Sequence, residues 1–402
     1  PRQRFWTVRA KSTILATGAL EHSIAFGDND RPGVMTAAAA GAYLNRYGVL
    51  AGENIAIATN NDSVYQTAGD LSRAGARVGV LDARKVVSHA LCEAAERDGV
   101  TIQLATAPMK ALGTKAACGL KVAIADGEGW KAGGDRACDL VLVSGGWSPV
   151  ASLLSHRGGK LSWDVENACF IAEEFSDRIH MAGSAAGIWN LDDCEVSGMV
   201  AGTAAVKDFG KSAPSMAAPM VGGWENPIRP LYEVKVAGKK LKSFVDPQHD
   251  VTAADVRLAH REGFVSVEHL KRYTTLGMAS DQGKMGNIIG LALMAEALGK
   301  QIPEVGTTTF RPPYTPVSIG ALCGRNSGGH FRPLRRTPMH DWNLNHNATM
   351  TDAGLWQRPW YFARDGETIT EAYIREATTT RSTVGLCDVT SLGKIAIQGP
   401  DA

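Results

Sequence analysis

Two stretches far apart in the chain, ILATG at Ile14–Gly18 and IHMAGSAAG at Ile179–Gly187, decide the fold. Each is a short apolar run broken by glycine, the pattern of a buried strand ending in a tight turn. A complete unit lies between them. ENIAIATNND (53–62) reads as a buried strand, SVYQTAGDLSRAG as a helix closed by Gly75, and ARVGVLDAR as the next strand. Residues 53–84 therefore form one βαβ unit. VTIQLAT, LKVAIAD and DLVLVSGG supply further strands, the last ending in Gly145-Gly146. WTVRAKSTILATGA is read as two short strands, and CEVSGMVAGTAAVKDF as a helix packed closely on a sheet. Forty-four glycines, many of them at strand ends, favour an α/β nucleotide-binding architecture.

Composition narrows the function classes. The 42 Lys and Arg against 41 Asp and Glu leave a net charge of +1, no electrostatic footprint for nucleic acid or an anionic membrane. No apolar run approaches the roughly 20 residues a membrane span needs. The seven cysteines, Cys92, Cys118, Cys138, Cys169, Cys194, Cys323 and Cys387, are odd in number and widely spaced. They are expected to be reduced thiols in a cytoplasmic setting, and no pair has the spacing of a metal site or a redox disulfide. After Phe209 the composition shifts. A Pro/Gly-rich linker (211–243) leads to a helical domain (244–300), with Thr252 expected to cap AADVRLAHREG. A second linker (301–333) precedes a last domain starting at Leu334.

Candidate chemistry is sparse. A dinucleotide site needs glycines after its first strand, so that a pyrophosphate can reach backbone N–H groups at a helix N-terminus. The inserted unit has ATNNDS there instead, so it is read as a degenerate, structural nucleotide fold. NLDDCE gathers carboxylates beside Cys194, but consecutive residues share no face, and a helix start explains them better. His330, His340 and His346 are expected to pack or cap.

The paired glycine ends resemble the flavoprotein disulfide-reductase architecture, where an ATG strand end and a later A-G-D strand end flank a bound dinucleotide and a second nucleotide-binding domain is inserted between them. The resemblance implies an α/β domain in two pieces, 1–45 and 151–210, with a second nucleotide-binding-like domain at 46–150. Ser184 stands here where that family has the Asp that binds the flavin's ribityl chain. NAD has no ribityl chain, so the resemblance implies NAD in the position of FAD. It carries over Thr17, Gly18, Gly183, Ser184, Ile188 and Asn190 as cofactor-binding residues, with no catalytic or metal residue. That family's first βαβ, with its glycine fingerprint, is expected before Pro1.

Residues 246–299 resemble the helical domain of bacterioferritin-associated ferredoxins. Aligning Val251-Thr252 and Gly277-Met278 puts Asp246, Gln248, Asp281 and Gly286 at the four cluster-ligand positions. Clusters are held mainly by thiolates, so no Fe–S cluster is expected. KRYTTLGMASDQGKMGN (271–287) is then a relic loop kept as scaffold, or one whose Lys271, Arg272 and Lys284 face a flavin phosphate. The stretch from His330 through Gly385-Leu386, Asp388-Val389-Thr390, Gly393 and Gly399–Ala402 resembles the opening of the glycine-cleavage T-protein fold.

That order resembles the α subunits of heterotetrameric sarcosine oxidases, with this chain as an internal fragment. The resemblance implies oxidative demethylation of sarcosine to glycine, with H2O2 and 5,10-methylenetetrahydrofolate formed. It implies NAD in this chain, FMN at the interface with a β subunit, FAD in that β subunit, and tetrahydrofolate at a site mostly beyond Ala402. Partners would be β, γ and δ subunits. Two alternatives stay open: the equivalent subunit of N-methylglutamate dehydrogenase, and a non-catalytic NAD-binding scaffold.

Overall fold

The computed structural model describes residues 3–173, 178–215, 226–324 and 333–402; His330 and parts of both expected linkers lie outside them. The chain divides into two units, Val8–Pro316, and Pro1–Thr7 with Val317–Ala402.

In the first unit β1 (Thr13–Leu15) and β2 (Ala19–Glu21) flank the first glycine turn. β3 (Val34–Thr36) and α1 (Ala37–Tyr47) lead to the βαβ unit of β4 (Asn54–Thr59), α2 (Val64–Arg73) and β5 (Arg77–Asp82). α3 (His89–Arg97) and β6 (Thr101–Gln103) follow. β7 (Thr106–Leu112), β8 (Gly119–Asp126) and β9 (Gly129–Ala137) make an antiparallel sheet, and the chain returns through β10 (Leu140–Ser144) and β11 (Trp147–Pro149). β3, β10, β4, β5 and β6 lie in that order in one parallel sheet.

The sequence of β4 explains why this sheet is covered on both faces. Ile55 and Ile57 pack with Ala40, Val64, Ala68 and Leu71 of the helical side. Ala56, pointing the other way, packs among Ile24, Phe26, Leu120 and Val141. Alternate residues point to opposite faces, and here both faces are apolar. Burying an isoleucine in this way contributes roughly 1.5–3 kcal/mol.

After β11 come α4 (Ser152–Ser155), the antiparallel hairpin of β12 (Leu161–Asp164) and β13 (Cys169–Ala172), then β14 (Ile179–Met181) and α5 (Leu191–Lys207). β14 pairs in parallel with β1 across the inserted domain. The helical part opens with β15 (Phe244–Asp246) and β16 (Val251–Thr252), followed by α6 (Ala253–Arg261), α7 (Val267–Thr274) and α8 (Asn287–Leu298). Thr252 caps α6 as expected: its hydroxyl accepts from Asp255 N (3.3 Å) and the Asp255 carboxylate accepts from Thr252 N (2.8 Å). Every residue of α8 from Ile288 to Ala295 is buried, which makes it the centre of this core.

Three expectations need correction. WTVRA forms no strand; Trp6 and Val8 are exposed, and an alternating pattern without a hydrogen-bonding neighbour does not make a ladder. GWKAGGDRA was not expected as a strand, yet β9 runs along β8 from Asp126↔Gly129 to Gly119↔Ala137. Gly133 is required there, since a Cβ would come within 2.9 Å of Val122 and 3.1 Å of Ile124. In the second unit, Trp356–Phe362 lies between Arg335–Arg336 and Ala348–Ala353 in a three-stranded sheet, and Ile369–Ser382 is a helix. The residues after Ser382, expected from their resemblance to open the T-protein fold, form no strand, and Leu386, Ile395 and Ile397 are exposed.

Candidate functional site

The parallel register Leu15↔Met181 brings the two glycine turns side by side. Ala182 N donates to Leu15 O at 3.0 Å, so Ala16-Thr17-Gly18 and Ala182-Gly183-Ser184 leave the strand pair together. Gly18 (φ +76°) and Gly183 (φ +65°) both adopt the left-handed conformation that favours glycine. A Cβ on Gly18 would meet only Ser184 Oγ, at 4.0 Å, and one on Gly183 would come no closer than 3.8 Å to Cys194. The backbone at both turns is thus open to close approach, as a dinucleotide requires.

The remaining expected residues divide in role. Thr17 Oγ1 donates to Val150 O (2.7 Å) and Val150 N to Gly18 O (2.9 Å), fixing the first turn against the strand end at Pro149. Gly183 N donates to Ser197 Oγ (3.1 Å), fixing the second turn to α5. Ile188 is buried and its carbonyl accepts from Cys194 Sγ at 3.2 Å. Asn190 caps α5, its side-chain oxygen accepting from Asp192 N at 2.8 Å. Gly18, Gly183 and Ser184 are thus half-buried at the two turns, while Thr17, Ile188 and Asn190 make the contacts that hold the frame. The carboxylates Asp192 and Asp193 in the first turn of α5 oppose a phosphate at that helix end. Burial raises the Cys194 thiol, with Asp193 adding to the shift.

The corresponding place in the inserted domain is filled by the chain itself. Asp82, at the end of β5, is fully buried and takes Arg84 Nη2 (2.7 Å), Arg84 Nε (3.0 Å) and the Tyr65 hydroxyl (2.8 Å). Arg84 Nη1 also reaches Asp62 (2.7 Å) in the loop after β4. Residues Asn226 to Arg229 run across the same strand ends. Asn226 N and Nδ2 donate to Asp62 (2.9 and 3.1 Å), and its side-chain oxygen accepts from Ser88 N (2.7 Å). Arg229 N donates to Asn60 O (3.1 Å), Asn60 Nδ2 to Arg229 O (2.8 Å), and Arg229 Nη1 to Ala83 O (2.6 Å). The glycine-less loop signalled a degenerate site. The strap was beyond sequence reasoning, because its partners lie some 140–170 residues away.

The loop at 271–287 is also filled from within. Asp246 is buried, and its carboxylate accepts from Gly277 N (2.9 Å) and Gln248 N (3.0 Å). Gly277 (φ +67°) and Gly283 (φ +74°) close around the Asn287 amide. A cysteine at 286 would place its Cβ 2.5 Å from Val245 O, so restoring thiolates at 246, 248, 281 and 286 requires the backbone to move. Among the described residues no group of His, Cys, Asp or Glu side chains gathers as a metal would need. Asp246→Ala should leave the buried Gly277 N–H unpaired, while the N–H of exposed Gln248 turns to water, and cost about 1–3 kcal/mol, measurable as a lower denaturation midpoint of this unit. Of the three basic residues, Lys284 lies over the Tyr314 ring (4.1 Å) and donates to Tyr314 O (2.9 Å), while Arg272 is exposed.

Comparison with known proteins agrees with this architecture. Residues 240–325 match the sarcosine oxidase A3 domain, and 339–402 the GCVT N-terminal domain. The sarcosine oxidase α subunit of Rhizobium meliloti (strain 1021) is 42% identical over 408 aligned residues, covering 100% of this chain and 40% of that protein. The α subunit from Corynebacterium sp. (strain U-96) is 42% identical over 416, covering 100% and 42%. The crystal structure of L-proline dehydrogenase from P. horikoshii shares the fold at a TM-score of 0.55 and 19% identity, over 78% of this chain and 58% of that one. The chain is a homologue of the sarcosine oxidase α subunits along its whole length, and spans about 40% of theirs.

Proposed function

We propose that the chain acts as part of the α subunit of a sarcosine oxidase complex. The observation that carries this reading is the 42% identity to sarcosine oxidase α subunits over every part of the chain. NAD would lie along Gly18, Gly183 and Ser184, with Thr17, Ile188 and Asn190 behind them; two open left-handed glycine turns support that placement. FMN at the interface with a β subunit, FAD within that subunit, and γ and δ subunits complete a cytoplasmic heterotetramer. The flavins supply oxidation of the N-methyl group and return of the electrons to oxygen, and tetrahydrofolate takes the one-carbon unit. This chain's contribution is positional. It orders the dinucleotide turns, keeps a cluster-free helical domain rigid through Asp246 and Asn287, and presents the GCVT region.

Oxygen uptake by the chain assembled with its partner subunits tests the reading. Uptake with sarcosine, with methylenetetrahydrofolate appearing when folate is added, is the expected result. Turnover of N-methylglutamate with an artificial acceptor, and none of sarcosine, would move the amine. A scaffold reading is favoured by one observation, the self-filled nucleotide place at Asp82 and Arg84. Silence with both amines would select it.

A further inference from the structure

A cavity of about 100 Å³ lies within the Val8–Pro316 unit, between α4, the β12–β13 hairpin, the start of α8 and residues 307–310. Much of its wall is apolar, from Pro149, Leu161, Phe170, Ile288, Leu291 and Phe310. His156 Nε2 holds Phe310 O at 2.5 Å, which keeps the 307–310 segment against α4.

Ser152 lines this cavity and is 5% exposed, and its hydroxyl, though close to the Tyr314 phenol, makes no hydrogen bond of good geometry. A buried hydroxyl left unpaired costs about 1–3 kcal/mol, so a cavity that one faces is suited to a polar guest. Lys284 lines the same space; it gives one N–H to Tyr314 O (2.9 Å) and keeps two for another acceptor. Gly283, Asn287 and Ile288 bring the positive end of the 12-residue helix α8 to the same wall. Among the described residues no acidic side chain lines the cavity.

We propose that this cavity binds a small aliphatic monocarboxylate. One ammonium and one helix end match a single negative charge, whereas a phosphate dianion would bury a second charge without a partner. An amino acid would bring an ammonium to a wall with no carboxylate. The apolar wall takes the carbon chain. A water needs roughly 10–15 Å³ on this measure, so the space holds several non-hydrogen atoms, acetate to butyrate in size. The proposal is independent of amine oxidation, since it needs neither cofactor nor partner subunit.

Calorimetric titration of the full chain with propionate tests it. Saturable one-site binding is expected, weakened at least about tenfold by Ser152→Ala and by Lys284→Met. Glycine and inorganic phosphate should bind more weakly than propionate. Circular dichroism and melting curves show whether the variants stay folded; because Lys284 also holds Tyr314, Lys284→Gln is the second charge variant, keeping a donor. Absence of saturable heat, propionate binding unchanged in Ser152→Ala and Lys284→Gln, or glycine or phosphate binding as tightly would each overturn the proposal.

Discussion

Replacing Arg84 with Ala should destabilise the Val8–Pro316 unit by about 3–5 kcal/mol, the cost of leaving a buried charge without its partner. The Arg84 side chain is 5% exposed, and those of its partners Asp82 and Asp62 are 0% and 10% exposed. Without the guanidinium, Asp82 keeps only the Tyr65 hydroxyl and the residue-84 backbone N–H (2.9 Å). Burial and the Asp82 carboxylate hold the Tyr65 phenol neutral, so it cannot supply the missing charge balance. The strap loosens as well, because Asp62 loses the group that fixes it under Asn226. Arg84→Ala combined with Asp82→Ala should cost less than the sum of the single changes, the mark of one coupled network. Equilibrium denaturation of the three variants measures this. A loss under about 1 kcal/mol for Arg84→Ala would mean that Asp82 finds water or another donor.

The second large effect concerns pH. Burial pushes the Glu21 carboxyl up to about 7, against the pull of Ala38 N–H (2.7 Å), Ser144 and Thr36. Burial likewise pushes the adjacent His22 down to about 4, with Ser23 O opposing. The unfolded chain has ordinary values of 4.5 and 6.5. As pH rises through the Glu21 window the unfolded state releases its proton first, so stability falls between 4.5 and about 7. As pH falls through the His22 window the unfolded state takes up its proton first, so stability also falls between 6.5 and about 4. From 4.5 to 6.5 the two slopes oppose each other and the parent chain should show little net pH dependence from this pair. Glu21→Gln removes one of them. Its stability relative to the parent should improve by about 3 kcal/mol between about pH 4 and pH 8, since each tenfold change in proton affinity is worth about 1.36 kcal/mol. A relative stability that does not change with pH would contradict a buried, neutral-seeking Glu21.

How much of this was legible in the sequence follows from the range of each interaction. The strand in ENIAIATNND declares itself because both faces of β4 are apolar, and Thr252 declares α6 because a capping box is local. Gly18 and Gly183 were visible as turn residues, and only the β1–β14 pairing makes them neighbours. Asn190 was expected as a site residue, and its role as the cap of α5 was not read from the sequence. The Arg84 plug, the 226–229 strap and the Asp246 plug escaped notice because each joins residues separated by loops or whole domains. β9 escaped because its glycines look like turns until Val122 and Ile124 are seen beneath Gly133.

The most direct test of the account is a count of NAD released on denaturing the protein purified with the partner subunits proposed for it. One equivalent per chain is expected, because the turns at Gly18 and Gly183 are open while the place at Asp82 is filled by Arg84. Gly183→Val, which forces a branched side chain into a left-handed turn, should release none. Two equivalents, none in the parent, or one retained in Gly183→Val would contradict it.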